Sequence, residues 1–223
     1  MTPFYFDIET IPDQTPGALE EHCAAVTAPA QYKKADSIEA WLNENRNTEG
    51  EASWLKTSFD GGVGQICVIG YAIGDQPAET FQVADLSRES ERAMLRNFFS
   101  VLGAIGPRST LVGHNLVAFD IPFIWKRAMV LGVKPPFALP RNPKPWSELV
   151  IDTMLMWDAS QRSGGSMDRI CRLLGIPGKD GMTGADVWPA VRDGRIDEVA
   201  AYCRSDVERT RAMYRRMAFE IEA

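Results

Sequence analysis

Asp7 and Glu9 stand two residues apart in the run FYFDIET, where apolar and polar side chains alternate. In an extended chain, side chains two apart share a face, so both carboxylates point away from the face of Phe4, Phe6 and Ile8. Neighbouring carboxylates repel, and a cation between them relieves the repulsion. Their oxygens are hard ligands of the kind that suit Mg2+ or Mn2+. An acidic pair at a strand end is also an ordinary solvated feature, and alone it does not separate the two readings. A further acid, Asp120, follows Phe119 and closes a run that opens Gly113-His114-Asn115. A strand ends at Gly113, and Asp120 falls in the first turn of the next helix. There the helix dipole favours a carboxylate with or without a metal. Tyr202 and Asp206 form the third group, four apart on a C-terminal helix and therefore on neighbouring turns. They flank a stripe of Ile196, Val199, Ala200, Cys203, Val207 and Thr210, where a tyrosine at the core edge beside a solvated aspartate is the plainer alternative.

The elements that must position these groups follow from periodicity. The first strand ends at Pro12. Residues 13–64 are polar and irregular with one helix over 37–45, and read as an insertion into a single domain spanning 1–223. Residues 65–74, rich in β-branched side chains, predict a buried strand, and Asp75-Gln76-Pro77 turns it back into a second strand over 79–83. Residues 87–105 predict a helix with Ala93, Met94, Phe98, Val101 and Ile105 on one face, capped by Ser87 or Ser90. A short strand over 110–113 leads to a helix over 118–131 with Pro122 in its first turn. The proline-rich stretch 134–146 is a loop. Residues 150–157 form a strand end or short helix, and three helices follow near 166–174, 184–192 and 195–219. Arg204, Arg209, Arg211, Arg215 and Arg216 circle the last helix and read as solvated. Strands first, then helices packed around them, imply an α/β fold with a mixed sheet.

Composition bounds the rest. The chain has 223 residues, 45% hydrophobic and 24% charged, which suits one folded soluble domain. Its longest apolar stretch, 66–73, is too short to cross a bilayer. The N-terminus has no basic region and meets two carboxylates within nine residues, so no signal peptide is expected. Cys23, Cys67, Cys171 and Cys203 are scattered without a CxxC pair, which implies free thiols and a cytoplasmic setting. A net charge of −6 argues weakly against a polyanionic partner, unless bound cations neutralise an acidic site.

Taken in order, the three groups resemble the motifs of the DnaQ-like (DEDD) 3′–5′ exonucleases. The motifs are Phe6-Asp7-Ile8-Glu9-Thr10, then Gly113-His114-Asn115 through Phe119-Asp120, then Tyr202-Cys203-Arg204-Ser205-Asp206. Tyrosine four before the last aspartate is the mark of the DEDDy branch; the alternative histidine would stand at Ala201. The insertion and the 59–70 stretch are similar to stand-alone exonucleases related to the proofreading domain of family-B DNA polymerases.

The resemblance implies an RNase H-like fold, with a central mixed sheet flanked by helices. It implies that Asp7, Glu9, Asp120 and Asp206 hold two divalent ions, Mg2+ with Mn2+ as a substitute, about 3.5–4 Å apart. Asp7 would bridge both. Tyr202 would orient the attacking water, since a phenol with an ordinary pKa of about 10 is a poor base at neutral pH. Asn115, Phe119, Thr10 and Ile11 are candidate substrate contacts, Phe119 by stacking on the terminal base or else by packing in the core. His114 reads as a loop-fixing residue and Asp152 as a helix cap or support. Lys179 is a phosphate contact or a solvated lysine. The implied substrate is nucleic acid, single-stranded DNA ahead of RNA, cut to nucleoside 5′-monophosphates by a free-standing enzyme. An exoribonuclease is the alternative within the class, and a non-catalytic binding module on the same fold is the alternative outside it.

Overall fold

A computed structural model describes residues 2–140, 143, 147–158, 165–178 and 181–220. Its centre is a five-stranded mixed sheet in the order β3-β2-β1-β4-β5. Strand β1 (Pro3–Ile11) pairs antiparallel with β2 (Gln65–Ile73), which pairs antiparallel with β3 (Glu79–Gln82). On its other side β1 runs parallel to β4 (Thr110–Gly113), and β4 parallel to β5 (Val150–Asp152). The α/β expectation is met, and the hairpin over 65–83 is present.

Both faces of β1 are covered. Phe4 and Phe6 pack on Phe98 of α3 (Arg88–Ile105). On the opposite face Tyr5 meets Tyr214 of α8 (Ile196–Met217), so the face bearing Asp7 and Glu9 lies under a helix. The helix α3 is capped by Ser87, whose hydroxyl accepts from the Ser90 N–H. Its buried stripe is Glu91, Met94, Leu95, Phe98, Phe99 and Leu102, with Ala93 exposed and Val101 and Ile105 only partly buried. That is a rotation from the predicted face, because Glu91 points inward to meet a buried arginine.

The 13–64 segment departs most from expectation. It contains α1 (Ala18–Ala24), α2 (Ala35–Leu55) and a short 3-10 helix at Lys56–Phe59, not one helix over 37–45. Only Gly50 and Trp54 of α2 are buried. Polarity all round, the feature that reads as irregular chain, belongs here to an exposed helix. Gly50 does not break α2: a Cβ there would lie 2.5 Å from the Cys23 Cα, so the glycine lets α1 approach. Trp54 meets Trp188 edge-on at 5.3 Å, joining the segment to α7 (Val187–Arg192).

Helix α4 (Asp120–Leu131) follows β4, and α5 (Thr153–Trp157) and α6 (Met167–Leu173) follow β5. Among the described residues no helix is long and apolar enough to cross a membrane. The described part of 134–146 holds no helix or strand; the rest, like Lys179, lies outside the described residues.

Candidate active site

The three sequence groups meet at the middle of β1. A register shift between Glu9 and Thr10 marks a bulge in the β1–β2 ladder, a distortion that commonly re-aims side chains beside a site. The Asp120 Oδ1 accepts from the Ile8 N–H at 3.1 Å, which fixes the start of α4 against the strand between Asp7 and Glu9. From α8, the Cys203 thiol donates to the Asp7 carboxylate at 3.5 Å, and the Tyr202 hydroxyl donates to Asp206. Helix α8 approaches this closely because Gly70 of β2 lies beneath it, where a Cβ would be 2.9 Å from the Cys203 Sγ.

These carboxylates are largely withdrawn from water. Glu9 is 8% exposed, Asp120 3% and Asp206 4%, with Asp7 half-buried. Burial first, then the charge of Asp7, pushes the Asp120 carboxyl well above the usual range. Burial, then the charges of Asp206, Glu9 and Asp7, pushes the Tyr202 phenol far up, so it remains a hydrogen-bond donor. The Cys203 thiol is raised by burial and then by Asp7, which keeps it a neutral donor to that carboxylate. Asp7, Glu9 and Cys203 each offer a ligand atom, all within 4.8 Å of one another. Crowded, desolvated carboxylates with only oxygen ligands in the charged state fit a hard divalent cation.

Around this centre the other predicted residues fall into place or out of it. Asp152 caps α5, its Oδ1 accepting from Met154 N–H. The same carboxylate accepts the N–H groups of Asn115 and Val117, so it holds the 113–117 loop from below. Asn115 takes a left-handed φ of 61°, a conformation asparagine tolerates. The His114 Nδ1 lies 2.9 Å from the Thr153 Oγ1. The Thr10 hydroxyl donates to the Ser58 carbonyl, tying the 3-10 helix to β1. The Ile11 side chain has no exposed surface, so it leaves a substrate only its main chain.

Phe119 is half-buried and meets Phe59 at 6.4 Å in an edge-on contact. With Glu9, Thr10, Leu55 and Trp188, these two rings line a cleft of about 450 Å³. Phe59 is 72% exposed; the 59–70 stretch bears on the family resemblance, but no residue type in it singles out Phe59 as a substrate contact. Arg209 and Arg211 are not solvated as expected. Arg209 donates to the Asp206 Oδ1 and to the Gly178 carbonyl, both at 2.8 Å, and Arg211 to the carbonyls of Gly74 and Gln76. Arg204 is exposed, and Arg215 pairs with Asp75.

A family model described as "predicted 3′-5′ exonuclease related to the exonuclease domain of PolB" matches residues 53–221. The chain belongs to this exonuclease family. Among solved structures, this exonuclease is similar to the family B DNA polymerase from the hyperthermophilic archaeon Pyrobaculum calidifontis. The TM-score is 0.65 at 16% identity, over 98% of this chain and 24% of the polymerase. At that identity the likeness shows the fold, an RNase H-like mixed sheet flanked by helices. The exonuclease thus spans about a quarter of the polymerase's length. No curated protein matches it.

Proposed function

We propose that the chain removes nucleotides from the 3′ end of single-stranded DNA as nucleoside 5′-monophosphates, using two divalent cations held by Asp7, Glu9, Asp120 and Asp206. The reading rests on one observation. Asp120, bonded to the Ile8 N–H, and the α8 pair Tyr202–Asp206 converge on the Asp7–Glu9 face of β1 from segments far apart in sequence. Mg2+, or Mn2+ in its place, would supply charge stabilisation to the attacking and leaving oxygens of the phosphodiester. The cations also answer the net charge of −6, since they bring a polyanion to an acidic protein.

The chain's own residues do the rest. Tyr202, fixed by Asp206, orients the attacking water through its hydroxyl. Arg209 holds Asp206 from the other side. The Phe59–Phe119 cleft takes the terminal nucleoside, with Glu9 and Thr10 in its lining; Ile11 and Asn115 are proposed as further substrate contacts outside that lining. A base must leave its duplex partner to stack on Phe59 or Phe119, which favours a single strand or frayed end. Relation to a DNA polymerase's exonuclease domain supports DNA over RNA. The chain acts as a single exonuclease unit, with residues 13–64 as an elaboration that contributes Phe59.

The test is digestion of a 5′-labelled single-stranded DNA oligonucleotide with Mg2+ or Mn2+, beside RNA of the same sequence. A ladder shortening from the 3′ end is expected, faster on DNA and absent with EDTA or in Asp7→Ala. Cleavage that survives EDTA and Asp7→Ala, or no cleavage by folded, metal-supplied protein, would overturn the reading.

A further inference from the structure

Helix α4 begins at Asp120 in the active site and, at about 1.5 Å per residue, reaches Val130 roughly 15 Å away. There Val130 joins the lining of a separate cavity of about 440 Å³. Among the described residues its lining includes none of Asp7, Glu9, Asp120 or Asp206. Its polar lining sets Gln14, Gln65, Arg88 and Arg127 against one carboxylate, Asp13. Gln65, 3% exposed, lines the cavity, and its amide nitrogen finds no hydrogen-bond partner among the described residues. A buried amide N–H left unpaired has lost its water without replacement, so such groups call for an explanation. Beside it lies Arg127, 4% exposed, whose guanidinium is taken up by Glu91 and the Gly61 carbonyl, so it forms the cavity wall without an open donor.

The N-terminus of the 18-residue helix α3 opens on the same cavity through Ser87 and Arg88. Helix geometry leaves the first-turn N–H groups of Arg88 and Glu89 without intrahelical carbonyls, and the dipole there favours an anion. The nearby acids are largely occupied. Glu91 accepts from Arg127 and from the Ile66 N–H, Glu89 pairs with Arg92, and the Oδ1 of Asp13, in the cavity lining, accepts from the Thr15 N–H. Leu86, Val63 and Val130 provide an apolar wall.

We propose that this second cavity binds a phosphate group, either inorganic phosphate or the phosphate of a nucleoside 5′-monophosphate, through Gln65, Arg88 and the start of α3. The volume falls within the range of small-ligand sites and admits a nucleotide. Binding here does not depend on cleavage, so its failure and the failure of the exonuclease reading are separable.

The experiment is calorimetric titration of the full chain in EDTA with deoxyadenosine 5′-monophosphate, inorganic phosphate and deoxyadenosine. Without divalent cations, the catalytic carboxylates repel phosphate and contribute no binding. Saturable binding of at least one phosphate compound is expected, tighter than that of the nucleoside, which can reach only the Phe59–Phe119 cleft. If the nucleotide binds and inorganic phosphate does not, the base and sugar belong to the site; the reverse outcome assigns it to the free anion. Loss of a hydrogen bond to a charged group should weaken binding by about tenfold or more in Gln65→Leu and in Arg88→Glu. Gln65→Glu keeps the side chain's shape and reverses its preference, so it serves where the leucine variant does not fold. Asp206→Ala should bind as the parent does. No saturable binding of either phosphate compound, equal binding of deoxyadenosine, or an affinity unchanged in all three cavity variants overturns the proposal.

Discussion

The Glu91–Arg127 pair offers the sharpest test of how this fold is held together. Side-chain exposures are 0% for Glu91 and 5% for Arg127, so neither charge has water to fall back on. Glu91 takes two bonds from the guanidinium and a third, at 2.9 Å, from the Ile66 N–H of β2. The pair therefore ties α3 and α4 to the sheet. Replacing Glu91 by leucine leaves a buried guanidinium uncompensated, a loss of about 3–5 kcal/mol. A 223-residue chain shifts its melting point by roughly 2–4 °C per kcal/mol, so the expected drop is about 6–20 °C. Arg127→Met should cost a similar amount, since it strands the carboxylate instead. The double variant Glu91→Leu/Arg127→Met removes both charges and leaves chiefly the Ile66 N–H unpaired, about 1–3 kcal/mol. It should be more stable than either single variant. Urea denaturation of the four proteins gives the coupling directly. Single losses below about 1 kcal/mol, or a double loss equal to the sum of the singles, would refute the reasoning, because they would mean the pair is solvated.

Tyr202→Phe should slow turnover by about 10- to 100-fold while leaving the metal concentration for half-maximal rate unchanged; a shift as large as that of Asp206→Ala would count against a water-orienting role. Phe59→Ala should raise KM for single-stranded DNA by about 5- to 150-fold, the range for losing one base–aromatic stack, with a smaller effect on kcat; an unchanged KM would remove Phe59 from the substrate path. Gly70→Ala places a methyl 2.9 Å from the Cys203 Sγ and 3.0 Å from the Val207 Cγ2, so α8 must shift. Stability should fall by about 1–3 kcal/mol in urea melts, and cleavage should fall with it, with partial recovery in Gly70→Ala/Cys203→Ala. Burial, then the hydrogen bond to Glu79 and its charge, pushes the Tyr71 phenol up to about 12. The folded pKa lies above the unfolded value of about 10, so this stabilisation is full below pH 10 and is lost as pH rises through 12. Tyr71→Phe should flatten the fall in stability over that interval, and an unaltered alkaline profile would contradict it.

What could be read from the sequence was whatever local repetition alone decides. Period-two alternation put Asp7 and Glu9 on one face of β1, and the i, i+4 spacing put Tyr202 beside Asp206. Both hold because strand and helix geometry are local. The β2–β3 hairpin and the Ser87 cap follow in the same way. The readings that missed depend on partners distant in the chain. Helix α2 looks irregular beyond residue 45 from its polarity, and its Gly50 answers to Cys23, which the sequence does not announce as its neighbour. The α3 face was misplaced because a glutamate is read as outward until a buried arginine 36 residues on is known. The same holds for Arg209, apparently solvated on its helix but bonded to Asp206 and to the Gly178 carbonyl.

That division has a chemical consequence at the site. The carboxylates were visible because their residue types announce chemistry. What places them is mostly main chain or thiol: the Ile8 N–H for Asp120, the Asn115 and Val117 N–H groups for Asp152, and the Cys203 thiol for Asp7. Backbone donors carry no residue identity, so no motif can encode them. They are also the rigid part, since an N–H in a strand or tight loop moves only with its element. A site of repelling, buried carboxylates needs that rigidity, because side chains free to turn would swing apart to relieve the charge instead of waiting for a cation. The bulge at Glu9, the left-handed backbone of Asn115 and the glycine under α8 are therefore parts of the same device as the acids, though the sequence announces side chains and not this backbone geometry.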